Sequence, residues 1–96
     1  MRVYLSDDAD ADLLHIHSYL AERNPAAAIS LAHEFREKFT RLSRFPFIGR
    51  DRSHLMSGVR SLVAGSYVIF YRIDADHVTV LRVMDGRRDI ESEFQR

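Results

Sequence analysis

Apolar residues recur at intervals of three and four through the first half of the chain and at intervals of two, or in unbroken runs, through much of the second. These are the periods of helices and strands respectively. Val3 and Leu5 alternate with polar neighbours, which predicts a short strand over Arg2 to Leu5. Ser6 then offers an N-cap, and Asp7 and Asp8 fall in the first helical turn, where the helix dipole favours negative charge. Ala9, Leu13, Ile16 and Leu20 mark one face of a helix that ends near Arg23. Asn24-Pro25 is a second start signal, a capping side chain followed by a proline whose missing N–H does no harm at the first helical position. Ala28, Ala32, Phe35, Phe39 and Leu42 form the apolar stripe of that second helix, with Glu34–Lys38 and Glu37–Arg41 at i,i+4 on its outer side. So short a connection makes the two helices an antiparallel hairpin.

Pro46 and Gly49 end the helical half, and Arg44 to Gly58 reads as a loop with room for one helical turn. Three β-rich runs follow, Val59 to Ala64, Tyr67 to Ile73 and His77 to Met84, joined by links short enough for successive hairpins. Apart from Arg72 the middle run is apolar on both faces, the mark of a central strand; Gly86 to Phe94 is a polar tail that can end in a helical turn. The expected architecture is one α+β domain over residues 1–96, in the order βααβββ, with a short N-terminal strand and an antiparallel helical hairpin packed on an antiparallel sheet. Pairing of Ile73 with His77 would place Val68, Phe70, Arg72, Val78, Val80, Arg82 and Met84 on one sheet face. Tyr67, Ile69, Tyr71, Ile73, Thr79, Leu81 and Val83 would then face the helices. Arg60 joins the first face only if the Gly65 hairpin has an odd-length loop; a two-residue Gly65-Ser66 turn puts it on the other.

Composition narrows the classes. With 46% hydrophobic and 29% charged residues, the 96-residue chain is too apolar for disorder and holds one small core. It has no cysteine, hence no disulfide or thiolate metal site, and no apolar run near membrane-spanning length. Met1-Arg2 leads directly into the first strand without a visible signal peptide, so the expected location is the cytoplasm. A formal net charge of zero argues against coating nucleic acid through bulk electrostatics. Its distribution is uneven: Asp7, Asp8, Asp10 and Asp12 make the first helix acidic, while Arg41, Arg44, Arg50, Arg52 and Arg60, opposed only by Asp51, make the middle of the chain basic.

Candidate chemistry is sparse. Arg60, Arg72 and Arg82 are either partners of Asp51, Asp74, Asp85 or Asp89, or free guanidinium groups able to hold a phosphate or an acidic partner. His15, His33 and His77 read as ordinary exposed residues and His17 flanks the buried stripe; His54, inside the basic loop, is the remaining general-base candidate. No metal-ligand spacing, glycine-rich phosphate loop or nucleophile triad is present, and no cofactor is implied.

Asn24-Pro25-Ala26-Ala27, Gly58-Val59-Arg60, Tyr67 to Arg72 and Arg87-Arg88-Asp89, in this order and at these spacings, resemble the RelE/ParE superfamily of small bacterial toxins, its ParE branch most closely. The resemblance covers nearly the whole chain. It implies the toxin of a type II toxin–antitoxin system that inhibits DNA gyrase and stabilises cleaved DNA without hydrolysing anything, neutralised by an antitoxin whose C-terminal segment wraps it. On this reading Arg50, Arg52, Arg60, Arg82, Arg87, Arg88 and Phe94 would meet the target, and Val68, Phe70, Arg72, Val80 and Arg82 the antitoxin. The RelE branch implies an alternative, ribosome-dependent mRNA cleavage, with basic residues on the scissile phosphate and a tyrosine or histidine near the C-terminus. Here no tyrosine follows Tyr71, and Asp85 stands where many such relatives have histidine. A third reading is a toxin fold kept as a non-toxic, antitoxin-binding co-repressor.

Overall fold

The computed structural model describes residues 1–95. Strand β1 (Arg2–Leu5) leads into α1 (Asp7–Arg23) and α2 (Pro25–Arg44); a 3-10 turn (Pro46–Ile48) precedes β2 (Arg50–Asp51), β3 (Val59–Ala64), β4 (Tyr67–Ile73), β5 (His77–Asp85) and α3 (Ile90–Phe94). Both predicted caps form: Ser6 Oγ accepts the Ala9 N–H at 3.0 Å and Asn24 Oδ1 that of Ala27 at 3.1 Å. On α2, Glu37 meets Arg41 at 3.9 Å, whereas Glu34 reaches off its helix to accept the Gly65 N–H at 2.9 Å.

The sheet runs β1-β5-β4-β3-β2. β1 lies parallel to β5 and every other pair is antiparallel, so the sheet is mixed rather than the expected antiparallel one. A parallel neighbour requires a long crossover, which the helical hairpin and the strands after it supply. The helices cover one face, where Ala9, Ile16, Phe35 and Leu42 pack on Ala64, Ile69, Tyr71, Val78, Val80 and Val83. A second, smaller core lies on the other face, with Val59, Phe70 and Met84 beneath Leu55, Ile90 and Phe94.

Two features correct the predicted facing of β5. Ile73 pairs with Val78, not His77, because Asp74 closes the hairpin by donating its N–H to His77 O at 2.8 Å. A one-residue slip exchanges the faces of a whole strand, so Val78 and Val80 belong to the helix-packed core rather than the opposite face. Farther along, Phe70 pairs with Arg82 while Tyr71 pairs with Val80, leaving Leu81 as the extra residue of a bulge. That second shift restores the predicted facing of Val83 and Met84 and turns Leu81 away from the helices. At the other hairpin, Ala64 pairs with Tyr67 across a two-residue turn whose Gly65 has φ +61°, and Arg60 therefore lies on the helix side.

Candidate functional site

The predicted site arginines fall into two groups on different parts of the sheet. Arg82 belongs to the first. Its guanidinium forks onto the Asp12 carboxylate, Nε to Oδ2 at 2.8 Å and Nη2 to Oδ1 at 3.1 Å, with Glu93 3.9 Å away. Asp12 Oδ2 also accepts the Val83 N–H at 2.9 Å, and Ser6 Oγ donates to Leu81 O at 2.8 Å. Since β1 ends at Leu5, the side chains of Ser6, which caps α1, and Asp12, within it, bond the edge of β5 beyond that strand, at the bulge. Arg82 thus ties α1 to α3, and the Asp12 hydrogen bonds raise its pKa further above an already high value.

Asp85 sits at the end of the same strand, bonded by Arg87 through the backbone N–H at 2.9 Å and the side chain at 3.0 and 2.7 Å. The Arg87 side-chain bonds above all hold its pKa down to about 2. It is therefore an ionised acceptor at neutral pH and no proton donor. Arg88 pairs with Glu93. Phe94 packs edge-on against Phe70, ring centroids 5.0 Å apart, and the Arg52 guanidinium lies 5.5 Å from the same Phe70 ring while donating to Ser61 Oγ at 3.3 Å. Phe70 and Val80 are fully buried, under α3 and under the helices respectively, so neither presents a surface to an antitoxin as the sequence suggested. Arg72 is held by Asp74 at 3.2 Å, and Val68 is half-buried beside Met84. His54 is exposed and makes no hydrogen bond among the described residues. His77 is half-buried rather than simply exposed: it lies on β5, edge-on to Tyr4, with Asp76 at 3.0 Å and Asp74 at 3.3 Å.

The second group surrounds the loop after α2. Buried Tyr71 donates its hydroxyl proton to Pro46 O at 2.7 Å and accepts the Gly49 N–H at 2.8 Å, fixing the 3-10 turn to the sheet. Burial raises the Tyr71 pKa, keeping the phenol a donor. A Cβ at Gly49 would stand 2.7 Å from Tyr71 Cε1 and 2.8 Å from Ser61 O, so only glycine fits. Arg60 donates to Gly49 O at 2.9 Å and lies over the Phe47 ring at 5.2 Å. Arg50 is on β2 beside it, exposed. Phe45 and Phe47, 59% and 67% exposed, project from this fixed loop, a feature that charge-centred reading of the sequence passed over.

A further surface is concave. Leu13, Ile16 and Leu20 of α1, with Leu31, Ala32 and Phe35 of α2, line an apolar groove of about 510 Å³ along the helical hairpin. Among the described residues no group of three or more His, Cys, Asp or Glu stands together as a metal site. No helix there is long and apolar enough to cross a membrane.

The helical hairpin packed on a mixed five-stranded sheet is an α+β fold with an arginine-rich end to its longest strand. Residues 3–90 match the family described as the ParE toxin of the type II toxin–antitoxin system parDE, and the chain belongs to that family. It is 31% identical over 94 residues to toxin ParE3 of Caulobacter vibrioides, spanning 97% of this chain and 94% of that one. It is 32% identical over 92 residues to toxin ParE1 of Mycobacterium tuberculosis, spanning 94% of both. Among solved structures, a chain of the chromosomal ParDE TA system from P. aeruginosa superposes with a TM-score of 0.75 over 88% of this chain and 95% of that one, at 22% identity. A chain of the toxin–antitoxin complex RelBE2 from Mycobacterium tuberculosis does so with a TM-score of 0.61, at 29% identity and the same coverage.

Proposed function

We propose that this ParE-family toxin, acting as a single domain over residues 1–96, arrests growth in the cytoplasm by binding DNA gyrase, and that it does so without catalysing a reaction. The gyrase target follows from the family resemblance. The absence of catalysis is carried by one observation: the groups that a phosphate-cleaving site would need at the end of β5 are already engaged with each other. Arg82 is forked onto Asp12, Asp85 is held ionised by Arg87, and Phe94 occupies the space beside Phe70. A general acid needs a proton to give, and Asp85, held ionised and weakly basic by Arg87, has none.

An antitoxin partner is supported by the family and by the groove on the helical hairpin, which suits the apolar face of a helix better than water. Arg50, Arg87 and Arg88 stay in the proposed target set as exposed residues, and Arg52 and Arg60 as half-buried ones. Arg82 leaves it, because its bonds are internal. Pulse incorporation of labelled thymidine and methionine after induction tests the reading, with antitoxin co-expression as control. DNA synthesis should fall first. Protein synthesis falling first, with mRNA cut only when ribosomes are present, would replace gyrase with the ribosome.

A further inference from the structure

We infer that the loop joining α2 to β2 is a rigid protein-docking surface, and that its occupant is an acidic segment carrying an apolar side chain on the toxin's target. Resting on the toxin reading, the inference deepens it by saying where and with what chemistry the target is held.

Three observations converge on the segment from Arg44 to Arg50. Phe45, Phe47 and Ile48 are 59%, 67% and 42% exposed, a run of large apolar side chains that folding alone leaves in water. The loop bearing them is fixed by bonds to its backbone: Tyr71 to Pro46 O and from Gly49 N–H, Arg60 to Gly49 O, and Ile48 N–H to Phe45 O at 3.2 Å. Exposed aromatic residues on a backbone already fixed lose less freedom when a partner arrives than residues on a loose loop, a condition that favours their dominating an interface. The third observation is charge. Arg44 and Arg50 flank the run with no carboxylate within ion-pair distance among the described residues, because Glu37 is beside Arg41 and Asp51 accepts the Ser53 N–H at 2.7 Å. A shallow groove beside Phe45, walled by Arg36, Arg41 and Arg44, carries the same sign along α2.

These features fit an acidic protein segment rather than a nucleic-acid strand. A strand would be tracked by a continuous run of cations on a basic domain, whereas this chain is neutral overall and Glu37 stands in the wall of the groove. Two free guanidinium groups bracketing an apolar anchor match carboxylates bracketing an apolar side chain.

The test is fluorescence anisotropy of the labelled toxin with purified gyrase, and separately with a 20-nucleotide oligo-dT strand. It compares the wild type, Phe47→Ala and Arg44→Gln/Arg50→Gln, and induced growth arrest is measured for all three. Thermal unfolding establishes that the variants fold, as expected for exposed positions. Both variants should bind gyrase at least about tenfold more weakly and lose growth arrest. The arginine variant should also show a flatter dependence on salt, which Phe47→Ala leaves unchanged. Wild-type binding to gyrase matched by both folded variants overturns the surface and leaves the gyrase reading standing. If the wild type fails to bind gyrase but arrests growth, loss of arrest in both variants supports the surface and overturns gyrase as its target. Equal arrest by all three, or oligo-dT binding that the variants abolish, overturns the surface. A wild type that neither binds gyrase nor arrests growth overturns both.

Discussion

Asp12 shows how one carboxylate can do several tasks when its neighbours fix it. It accepts from Arg82 twice and from the Val83 N–H, and its side chain is 15% exposed. Removing it leaves a half-buried guanidinium and a strand-edge N–H without their partner, so Asp12→Ala should cost about 2–4 kcal/mol. Arg82→Ala should cost less, because Asp12 keeps the Val83 N–H. In a double-mutant cycle measured by urea unfolding, the coupling should reach about 1–2 kcal/mol, above the range of exposed pairs. Independent effects of the two substitutions would return Arg82 to the surface residues available to a target. The sequence did contain a signal for this pair. Asp12 falls three residues after buried Ala9 and four before buried Ile16, on the packed side of α1, where a carboxylate needs a donor. Which donor, 70 residues away, was not readable from helical spacing.

At the level of elements, the helices and strands were legible almost to their ends because each has local cause: caps at Ser6 and Asn24, a proline at the first position of α2, and apolar periods of the right length. The facing of β5 was not. Val78, Val80, Leu81, Val83 and Met84 are apolar at both parities, so the pattern tolerates either register, and the choice is made by the Asp74–His77 closure and the bulge at Leu81. β2 is too short to have a period. The cationic residues of the candidate site could be listed from sequence, but not the acids that engage them, since ion pairs depend on that register and on α3 folding back. Ser6 links the legible to the illegible: its hydroxyl caps α1, as its position predicts, and also bonds Leu81 O at the bulge. Ser6→Ala should therefore lie toward the upper end of cap losses, about 1.5–2 kcal/mol by chemical unfolding, with Asn24→Ala nearer 1. Equal costs for the two caps would mean that the Leu81 bond adds nothing.

For the molecule as a whole, titration and partner binding are the levers. Asp51, Asp74, Asp76 and Asp85 all have lowered pKa values, through bonds from Ser53, Thr79, His77 and Arg87 respectively, and Asp85 falls to about 2. A depressed carboxylate stabilises the fold above its unfolded value of about 3.9 and loses that contribution as pH falls through the folded value. Buried Tyr71 has the opposite sign: its raised pKa favours the fold below about 10 and the benefit disappears as pH rises through the folded value. Melting temperature should thus be level from about pH 5 to 9 and fall on both sides. Arg87→Ala, at a largely exposed side chain, should flatten the acid limb between about pH 4 and 2; an unchanged limb would assign the acid loss to the other carboxylates. The groove along the helical hairpin sets the second lever, because a small core beside open apolar surface gains stability when a partner covers that surface. Ala32 is exposed at the rim of this groove, so Ala32→Glu alters no buried contact yet sets a charge where an apolar helix face would lie. It is also about 18 Å along α2 from Arg44, clear of the aromatic loop. The variant should fold and remain toxic while binding the antitoxin about 10- to 100-fold more weakly, read by calorimetry and by growth arrest that persists under antitoxin co-expression. Full neutralisation would place the antitoxin elsewhere, and the outer edges of the sheet would be the next surfaces to probe.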